Sequence, residues 1–196
     1  MIPPDPIERF RKVYSLAEKI DRSCVPEPNA MSLATVDENG QPSARIVLLK
    51  GFDERGFVFY TNYEGRKGRE LLAHPQAALC FYWAPLDTQV RIEGRVTKVA
   101  DNEANAYFAT RKRASQIGAW ASRQSRPLET PKALDARVSE YEKKFAGRDV
   151  PRPDFWSGFR VFPDRIEFWK GKPSRLHERH LYTRDGEAWR IETLYP

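Results

Sequence analysis

The N-terminal part of the chain has the apolar spacing of an amphipathic helix. Apolar side chains recur at intervals of three and four residues and share one helical face: Phe10, Val13, Ala17 and Ile20. Asp5 is a favoured capping residue, and Pro6 takes the first helical position, where no backbone N–H is needed. Pro26 and Pro28 follow the pattern and end the predicted helix.

The next part of the chain has the spacing of β-strands. Residues 31–36 and 44–50 flank the dipeptide Asn39-Gly40, which is a strong signal for a hairpin turn. The run Ile46–Leu49 is apolar at every position, so both faces of the second strand would be covered. This predicts either a barrel wall beneath a helix or a surface covered by a second subunit.

The remaining elements follow from the same two spacings. Further strands are predicted over residues 57–62, 77–85, 89–100, 159–169, 180–185 and 188–194. Further helices are predicted over residues 66–74, 101–111, 115–122 and 134–147. Asp101 is expected to cap the second of these helices. Residues 123–132 are polar, contain two prolines and predict an irregular excursion.

Strands dominate the middle and the end of the chain, with helices inserted between them. The expected fold is α+β, a mainly antiparallel barrel with peripheral helices. At 196 residues the chain fits a single domain, residues 1–196. Its expected parts are an N-terminal helix and linker, barrel strands with a short helix, a helical excursion and C-terminal strands, over residues 1–29, 30–100, 101–150 and 151–196.

The charge balance favours an anionic partner. The 33 Lys and Arg residues exceed the 27 Asp and Glu residues, which leaves a net charge of +6. Nucleic acid, an acidic membrane surface and small phosphorylated molecules would all fit that excess. The basic residues are spread along the chain rather than gathered into an arm, which weighs against a nucleic-acid tail.

Cysteine use and the N-terminal sequence indicate the compartment. Cys24 and Cys80 lie among apolar neighbours, so we expect two buried thiols rather than a disulfide or a metal pair. The first residues lack the basic and apolar regions of a signal peptide, and no stretch has the apolar length of a membrane span. These features predict a cytoplasmic protein.

Four cations surround the apolar strands in the first third of the chain: Arg45, Lys50, Arg66 and Lys67. Cations at strand ends and in a glycine-containing loop before a helix suit a phosphorylated ligand at a barrel edge. A basic pair near a helix N-terminus is mildly unfavourable unless an anion is also present, which favours a bound phosphate. The alternative is ordinary, namely solvated strand ends and an exposed basic pair.

A second polar group lies on the helix predicted after residue 101. Tyr107 and Arg111 are four residues apart and share a helical face, and Ser115 follows the helix. A phenol, a guanidinium and a hydroxyl on one side would hold a phosphate monoester. In the alternative interpretation Tyr107 packs by its ring and Arg111 is solvated.

A third group lies near the C-terminus. In an extended chain Arg175, His177 and Arg179 point the same way, and two guanidiniums beside an imidazole would repel unless an anion or a solvated cleft were present. His177 and His180 are three residues apart, but no other ligands complete a zinc set, so no metal is expected.

Motifs for catalysis by protein groups alone are missing from the sequence. No nucleophile elbow, P-loop, dinucleotide fingerprint or HExxH helix occurs. If the protein is an enzyme, a bound cofactor would supply the difficult chemistry. Aromatic residues make up 12% of the chain, and flat rings are suited to packing against a flat cofactor.

A series of segments resembles the pyridoxamine 5'-phosphate oxidases in order and spacing. They are RIVLLK (45–50), FYTNYEGRK (59–67), QVRIEG (89–94), SQIGAWASRQS (115–125), FWSGFRV (155–161), IEFW (166–169), RLHERHLY (175–182) and WRIETLYP (189–196). The resemblance covers nearly everything from Ala30 to Pro196. It implies a Greek-key-like split β-barrel that forms a homodimer and holds FMN in two clefts between the subunits.

The resemblance also implies the residues of the site. FMN would contact Arg45, Ile46, Val47, Leu48, Leu49, Lys50, Tyr60, Thr61, Arg66, Lys67, Gln89, Gln124 and Ser125. Trp169 and Arg179 would complete the FMN site from the other subunit. The 5'-phosphate of the substrate would be clamped by Lys50, Tyr107, Arg111 and Ser115. The substrate ring would lie under Arg175, Leu176 and His177, with Arg175 as the main catalytic residue and His177 secondary.

The implied reaction is FMN-dependent oxidation of pyridoxamine 5'-phosphate or pyridoxine 5'-phosphate to pyridoxal 5'-phosphate. O2 is the implied acceptor and leaves as H2O2, and the amine substrate also releases NH3. The implied partners are a small phosphorylated pyridine, O2 and a second copy of the chain, with no nucleic acid and no membrane.

The sequence departs from the family pattern in two places. Only MIPP precedes Asp5, so the basic lid segment usual in the family is expected to be short or absent. Gly65 stands where a small hydroxyl residue is common. Two alternatives stay open, namely a related flavin oxidase acting on another ring such as a phenazine precursor, and a non-catalytic flavin- or nucleic-acid-binding module.

Overall fold

A computed structural model of the protein describes residues 2–196, and in that range it contains five α-helices and nine β-strands. The helices are α1 (Pro6–Glu18), α2 (Arg66–Ala73), α3 (Asp101–Thr110), α4 (Arg113–Ala121) and α5 (Pro131–Lys144). The strands are β1 (Ala30–Val36), β2 (Pro42–Leu48), β3 (Gly51–Asp53), β4 (Gly56–Asn62), β5 (Gln76–Trp83), β6 (Thr88–Lys98), β7 (Trp156–Lys170), β8 (Glu178–Asp185) and β9 (Ala188–Leu194).

All nine strands belong to one antiparallel sheet that curls into a half-barrel. The order is β2-β1-β5-β6-β7-β4-β3, and β8 and β9 continue the sheet from the second half of β7. Strand β7 therefore has two partners on one edge, β4 over its first half and β8 over its second, while β6 pairs along the other edge. This architecture confirms the expected α+β split barrel.

Helix α1 is fixed to the sheet by aromatic packing. The ring of Phe10 is fully buried and lies 4.9 Å from the rings of Phe52 and Phe57 and 5.2 Å from that of Phe81. Aromatic contacts at such distances stabilise a fold by roughly 1 kcal/mol beyond the burial itself. The apolar face that predicted this helix is the face that packs against β3, β4 and β5.

Helices α3, α4 and α5 pack together beside the start of β7. Phe108, Ile117 and Phe145, one at or next to each helix, are buried around Trp156. The ring of Trp156 meets that of Phe108 edge-on at 5.0 Å. The helical excursion is therefore anchored on β7 and held next to β4.

The structure differs from the sequence-based expectations at three positions. Asp101 is the first residue of α3 rather than its cap, and its carboxylate accepts a hydrogen bond from Arg152 at 2.6 Å. A short strand, β3, follows β2 where a continuous strand to residue 50 was expected. Cys24 is exposed, so its expected burial was wrong, because it lies in a turn whose backbone bonds to Asp21. Cys80 is half-buried.

Two features concern membranes and metals. Within residues 2–196 no helix combines the length and the apolar character that crossing a membrane requires. The same residues contain no group of three or more His, Cys, Asp or Glu side chains placed to hold a metal ion.

We expect Gly56→Ala to destabilise the fold by at least about 2 kcal/mol, because it combines a strained backbone with a steric clash. Gly56 has φ +123° at the first residue of β4, and an added Cβ would run into the carbonyl oxygen of Val161 on β7. Chemical unfolding of the two proteins measures the difference.

The matched control is Gly40→Ala in the first hairpin. Gly40 also has a left-handed φ, +81°, but an added Cβ would meet nothing within 4 Å. Its cost should be only the backbone strain, about 1 kcal/mol. Equal losses in the two variants would contradict the clash with β7.

Candidate functional site

A cavity of about 540 Å³ opens between β2, β4 and the helical excursion. It is lined by Arg45, Ile46, Val47, Leu48, Lys50, Tyr60, Thr61, Lys67, Tyr107, Arg111, Lys112, Ser115, Gln124 and Trp156. Most of the residues implied for FMN and the whole implied phosphate clamp therefore line one cavity. This juxtaposition arises because α3 and α4 pack beside β4.

One wall of the cavity is the apolar strand β2. Val47 and Leu48 are half-buried, whereas Ile46 is 66% exposed. Strand β2 is also the terminal strand of the sheet. The exposed Ile46 shows that one face of the strand is open in the single chain, so of the two interpretations of this run, the second subunit fits better.

The floor of the cavity is a polar cluster around Lys67. The Lys67 ammonium donates to the Gln124 side-chain oxygen at 3.0 Å and to the Thr61 hydroxyl at 3.4 Å. Burial, and then the nearby Arg45 guanidinium, lower the pKa of Lys67. A Cβ at Gly65 would collide with the same Gln124 oxygen, so a side chain there would displace the Gln124 carboxamide.

Glu70 lies behind this floor and holds two of the implied cations. Its carboxylate accepts from Arg45 Nη2 at 3.0 Å and from Arg66 Nε at 2.8 Å, and also from the hydroxyls of Thr35 and Ser43. Burial alone would raise the pKa of Glu70, but these hydrogen bonds outweigh it and lower the pKa to about 2. Glu70 is therefore a buried, fully ionised anchor for Arg45 and Arg66.

The opposite wall is a stack of rings that holds a guanidinium. The rings of Tyr60 and Tyr107 stack at 4.0 Å, and Tyr60 stacks on Trp156 at 5.4 Å. The guanidinium of Arg111 lies 4.6 Å from the centre of the Trp156 ring. Burial raises the pKa of Tyr60 to about 12, so its phenol stays neutral and can donate a hydrogen bond.

Arg111 carries an unsatisfied donor. Its Nη1 is buried and has no hydrogen-bond partner among residues 2–196, and burial lowers the pKa of the side chain. Buried donors without partners are costly and rare in folded proteins. An anion in the cavity, next to Lys50 and Ser115, would satisfy this donor.

Two lining residues were given no role from the sequence. Trp156 belongs to the FWSGFRV segment, but only the structure shows its ring beneath Arg111. Lys112 lines the same cavity and adds a further cation there. In the sequence, Trp156 was marked only by its place in the FWSGFRV segment (155–161).

Six residues implied for FMN lie outside the cavity, and three of these lie at separate places in the chain's first two thirds. Leu49 is buried in the core and is 4% exposed. Arg66 lines a neighbouring surface depression of about 410 Å³ together with Glu70. Ser125 has a left-handed φ of +67° and lines a third depression, formed around the connection from α4 to α5.

The remaining implied residues form a second cluster at the far end of β7. Gln89, Trp169 and Arg179 are cross-strand neighbours on β6, β7 and β8. The His177 ring lies 4.6 Å from that of Trp169, and its Nδ1 accepts from the Lys172 backbone at 3.3 Å. Arg175 is exposed beside this pair.

Glu167 supports the second cluster in the way that Glu70 supports the first. It is 4% exposed and accepts from Arg179 Nε at 2.8 Å and from Arg91. Burial opposes ionisation, but bonding to Arg179 and the charge of Arg91 lower the pKa of Glu167. The guanidinium of Arg179 is therefore held in a fixed orientation.

The turn before β8 is strained at a predicted catalytic residue. Ser174 and Arg175 have φ values of +58° and +61°, in the left-handed region that side chains other than glycine rarely adopt. Each such residue costs roughly 1–2 kcal/mol, and strain of this kind clusters at functional sites. The turn directs Arg175 and Leu176 outward, and Leu176 is 70% exposed.

The two clusters do not meet within one chain. Trp156 is the first residue of the 15-residue strand β7 and Trp169 its second-last. At about 3.3 Å per residue, about 40 Å of strand lies between them. None of Gln89, Trp169 and Arg179 lines the cavity beside Trp156, so a site that uses both clusters needs a second copy of the chain.

Comparison with known families gives two matches along the chain. The sequence model of the family described as pyridoxamine 5'-phosphate oxidase matches residues 17–145. The model described as the pyridoxine 5'-phosphate oxidase C-terminal dimerisation region matches residues 156–196. The second match covers the strands that carry the Trp169 cluster.

Individual proteins that are similar to this chain along nearly its whole length carry the same family description. A pyridoxine/pyridoxamine 5'-phosphate oxidase of Myxococcus xanthus (strain DK1622) is 62% identical over 196 residues, with 100% of this chain and 94% of the relative covered. One of Rubrobacter xylanophilus is 57% identical over 193 residues, with 98% and 88% covered.

Two solved structures share the fold. PhzG from Burkholderia lata 383, solved in complex with tetrahydrophenazine-1-carboxylic acid, has a TM-score of 0.90 and 31% identity, covering 99% of this chain and 94% of that one. A pyridoxamine 5'-phosphate oxidase-related, FMN binding protein from Nostoc punctiforme has a TM-score of 0.73 and 21% identity, covering 95% and 97%. The second likeness concerns the fold alone.

We expect Glu70→Gln to flatten the acid dependence of stability. The folded-state pKa of Glu70 is lowered from 4.5 to about 2, so its contribution is complete above pH 4.5 and is lost as the pH falls toward 2. The full difference is about 3 kcal/mol. Unfolding free energies measured between pH 6 and pH 3 would show about 2 kcal/mol of it, since the folded-state pKa of about 2 lies below that range.

The control for this prediction is Glu64→Gln, which removes the same charge from an exposed side chain near the same helix. Its unfolding free energy should follow the wild-type acid dependence. Parallel acid dependence in the wild type and in Glu70→Gln would contradict the prediction.

Proposed function

The chain belongs to the pyridoxamine 5'-phosphate oxidase family, and we propose that it oxidises pyridoxamine 5'-phosphate and pyridoxine 5'-phosphate to pyridoxal 5'-phosphate with bound FMN. In this reaction the substrate loses two electrons and two protons, and O2 takes them up as H2O2. The amine substrate gives an imine, which water hydrolyses to the aldehyde and NH3. The buried Nη1 of Arg111, which has no hydrogen-bond partner within residues 2–196 and lies in a cationic cavity, is the observation that carries the proposal.

The donor set of the cavity fits a flavin phosphate. Arg45 and Lys67 supply two cations, and Thr61 and Gln124 supply a hydroxyl and a carboxamide next to them. The wall formed by residues 46–48 offers apolar side chains and strand backbone to a flat ring. When bound, FMN would supply a two-electron acceptor, a chemistry that no side chain provides.

The substrate phosphate would bind at the Arg111 end of the same cavity. Arg111 and Lys50 carry the positive charge there, and Tyr107 and Ser115 offer hydroxyl groups. Charge-assisted hydrogen bonds from several directions would fix the register of the substrate. The reacting carbon is then held beside the flavin, and positioning of this kind is a large part of catalysis.

The second cluster would complete the site from the partner chain. Trp169 and Arg179 of a second copy would close over the flavin, and Arg175 and His177 over the substrate ring. Arg175 would orient the substrate and assist removal of its proton, with His177 in a secondary role. The match to a dimerisation region over residues 156–196 supports this arrangement. The cytoplasm is the compartment we propose for the homodimer.

A second candidate function has one observation in its favour. PhzG from Burkholderia lata, whose structure contains a tetrahydrophenazine carboxylic acid, shares 31% of its residues with this chain at a TM-score of 0.90. The carboxylate of such a ring would offer Arg111 and Lys50 one negative charge and two oxygens, whereas a phosphate monoester offers them up to two charges and three oxygens. The phosphorylated pyridine therefore fits the cavity better.

We expect Arg111→Gln to lower kcat/KM for pyridoxamine 5'-phosphate by about 10- to 100-fold, the cost of losing a charge-assisted hydrogen bond. Oxidation of unphosphorylated pyridoxamine should change little, because it does not use the clamp. Steady-state peroxide release with both substrates measures the ratio. Arg95→Gln, which removes an exposed arginine outside the cavity, is the control.

The wild type tests the proposal as well. The purified protein should show a flavin spectrum that pyridoxamine 5'-phosphate bleaches in the absence of oxygen. Equal wild-type rates with the two substrates would contradict the phosphate clamp. A colourless protein that oxidises neither substrate would contradict the proposed function.

We expect Arg175→Gln to reduce turnover far more than flavin content, because Arg175 is assigned to the substrate. Co-expression of Arg175→Gln with Arg111→Gln should restore activity, since each hybrid dimer contains one intact site. Random assembly would give about a quarter of wild-type activity. Differently tagged chains allow the hybrid to be isolated and assayed.

Two results would contradict the shared site. If flavin content fell together with turnover in Arg175→Gln, its assigned role would be wrong. If the isolated hybrid were no more active than its parents, each chain would have to carry a complete site of its own.

A further inference from the structure

The carboxylate of Glu70 has no part in the reaction described above, yet it is among the most heavily bonded groups in the molecule. It is 5% exposed and lies on α2, three residues after Lys67. The hydroxyls of Thr35 on β1 and Ser43 on β2 donate to it, the latter at 2.8 Å. A buried carboxylate is tolerated only when bonded in this way.

The two guanidiniums bonded to Glu70 are divided between its oxygens. Arg45 Nη2 donates to Oε2 at 3.0 Å, and Arg66 Nε donates to Oε1 at 2.8 Å. Arg45 is held further by the Leu33 carbonyl oxygen at 3.3 Å and by Thr35. Arg66 makes no other side-chain hydrogen bond within residues 2–196, so its two terminal nitrogens face outward with donors to spare.

The charges of this group leave a defined excess. Arg45, Arg66 and Lys67 contribute three positive charges, and Glu70 contributes one negative charge. The surplus of two equals the charge of a fully ionised phosphate monoester. The repulsion between Arg45 and Lys67 is one cause of the lowered Lys67 pKa, and the negative charge of Glu70 partly offsets that repulsion.

We propose that Glu70 is a positioning residue for the flavin phosphate, holding Arg45 and Arg66 in fixed places around Lys67 before the cofactor binds. The inference rests on the proposed function, since it concerns the phosphate of FMN. A preorganised set of donors binds more tightly than a mobile one, because the ordering has taken place before binding. Glu70 thus strengthens the binding of an anion although it is itself an anion.

This proposal and simple electrostatics predict opposite results. If only net charge mattered, removing a carboxylate beside a phosphate site would tighten FMN binding. If Glu70 positions the arginines, Glu70→Gln should weaken FMN binding by about tenfold or more, the effect of impairing one charge-assisted hydrogen bond. Titration of apoprotein with FMN, followed by quenching of flavin fluorescence, gives the dissociation constant.

Riboflavin separates positioning from general stability. It lacks the phosphate, so its dissociation constant should be the same in the wild type and in Glu70→Gln. The ratio of FMN to riboflavin affinity is therefore the decisive quantity. Glu64→Gln, which removes an exposed carboxylate paired with Arg126 at 3.4 Å, should leave the ratio at its wild-type value.

A milder variant covers the case in which Glu70→Gln does not fold. Ser43→Ala removes one donor to Glu70 and leaves every charge in place. It should lower the ratio of FMN to riboflavin affinity by a smaller factor. An unchanged or increased ratio in whichever variant folds, or an equal loss for both flavins, would overturn the proposal.

The outcome for the wild type is distinct from that for the variants. Failure of the wild-type apoprotein to bind either flavin would overturn the proposed function itself. FMN-selective binding that persists undiminished in Glu70→Gln would overturn only the role of Glu70.

Discussion

Strand β7 separates the two residue clusters and thereby determines how a site can be assembled. It pairs with β6 along one edge and with β4 and then β8 along the other, so it runs as one paired strand from the first cluster to the second. Trp156 at its start supports the cationic cavity, and Trp169 near its end supports the turn with Arg175. In the proposed function, the two clusters of one site would therefore come from two chains packed together.

The two clusters share one electrostatic device. In each, a buried carboxylate lies between two arginines, Glu70 in the first cluster and Glu167 in the second. Burial opposes the negative charge in both. Hydrogen bonds from two hydroxyls and two arginines outweigh it at Glu70, and the two arginines outweigh it at Glu167, so both pKa values are lowered. The result is a guanidinium with little freedom of rotation, which is what recognition of a flat or tetrahedral ligand requires.

The sequence predicted the helices and strands well, because each depends on the spacing of apolar residues within one short segment. It did not predict which side chains from distant segments would contact each other. Glu70 looked like an ordinary helix residue four positions after Arg66, and only the β1–β2 hairpin brings Thr35 and Ser43 against it. Tyr107 and Arg111 were expected on one helical face, and both line the cavity, but Arg111 follows the end of α3 with an extended backbone. Their role as a phosphate clamp stays a prediction. The burial of Cys24 was misjudged because apolar neighbours in sequence do not ensure apolar neighbours in space.

The separation of the clusters also links cofactor supply to quaternary structure. If one flavin touches both chains, the factor by which dimerisation raises flavin affinity is the factor by which flavin raises the association constant of the dimer. A shortage of cofactor would then leave more separated chains, each exposing Ile46 on a terminal strand of the sheet. Such edges pair readily with strands of other chains, so the flavin that serves the chemistry would also protect the protein from aggregation.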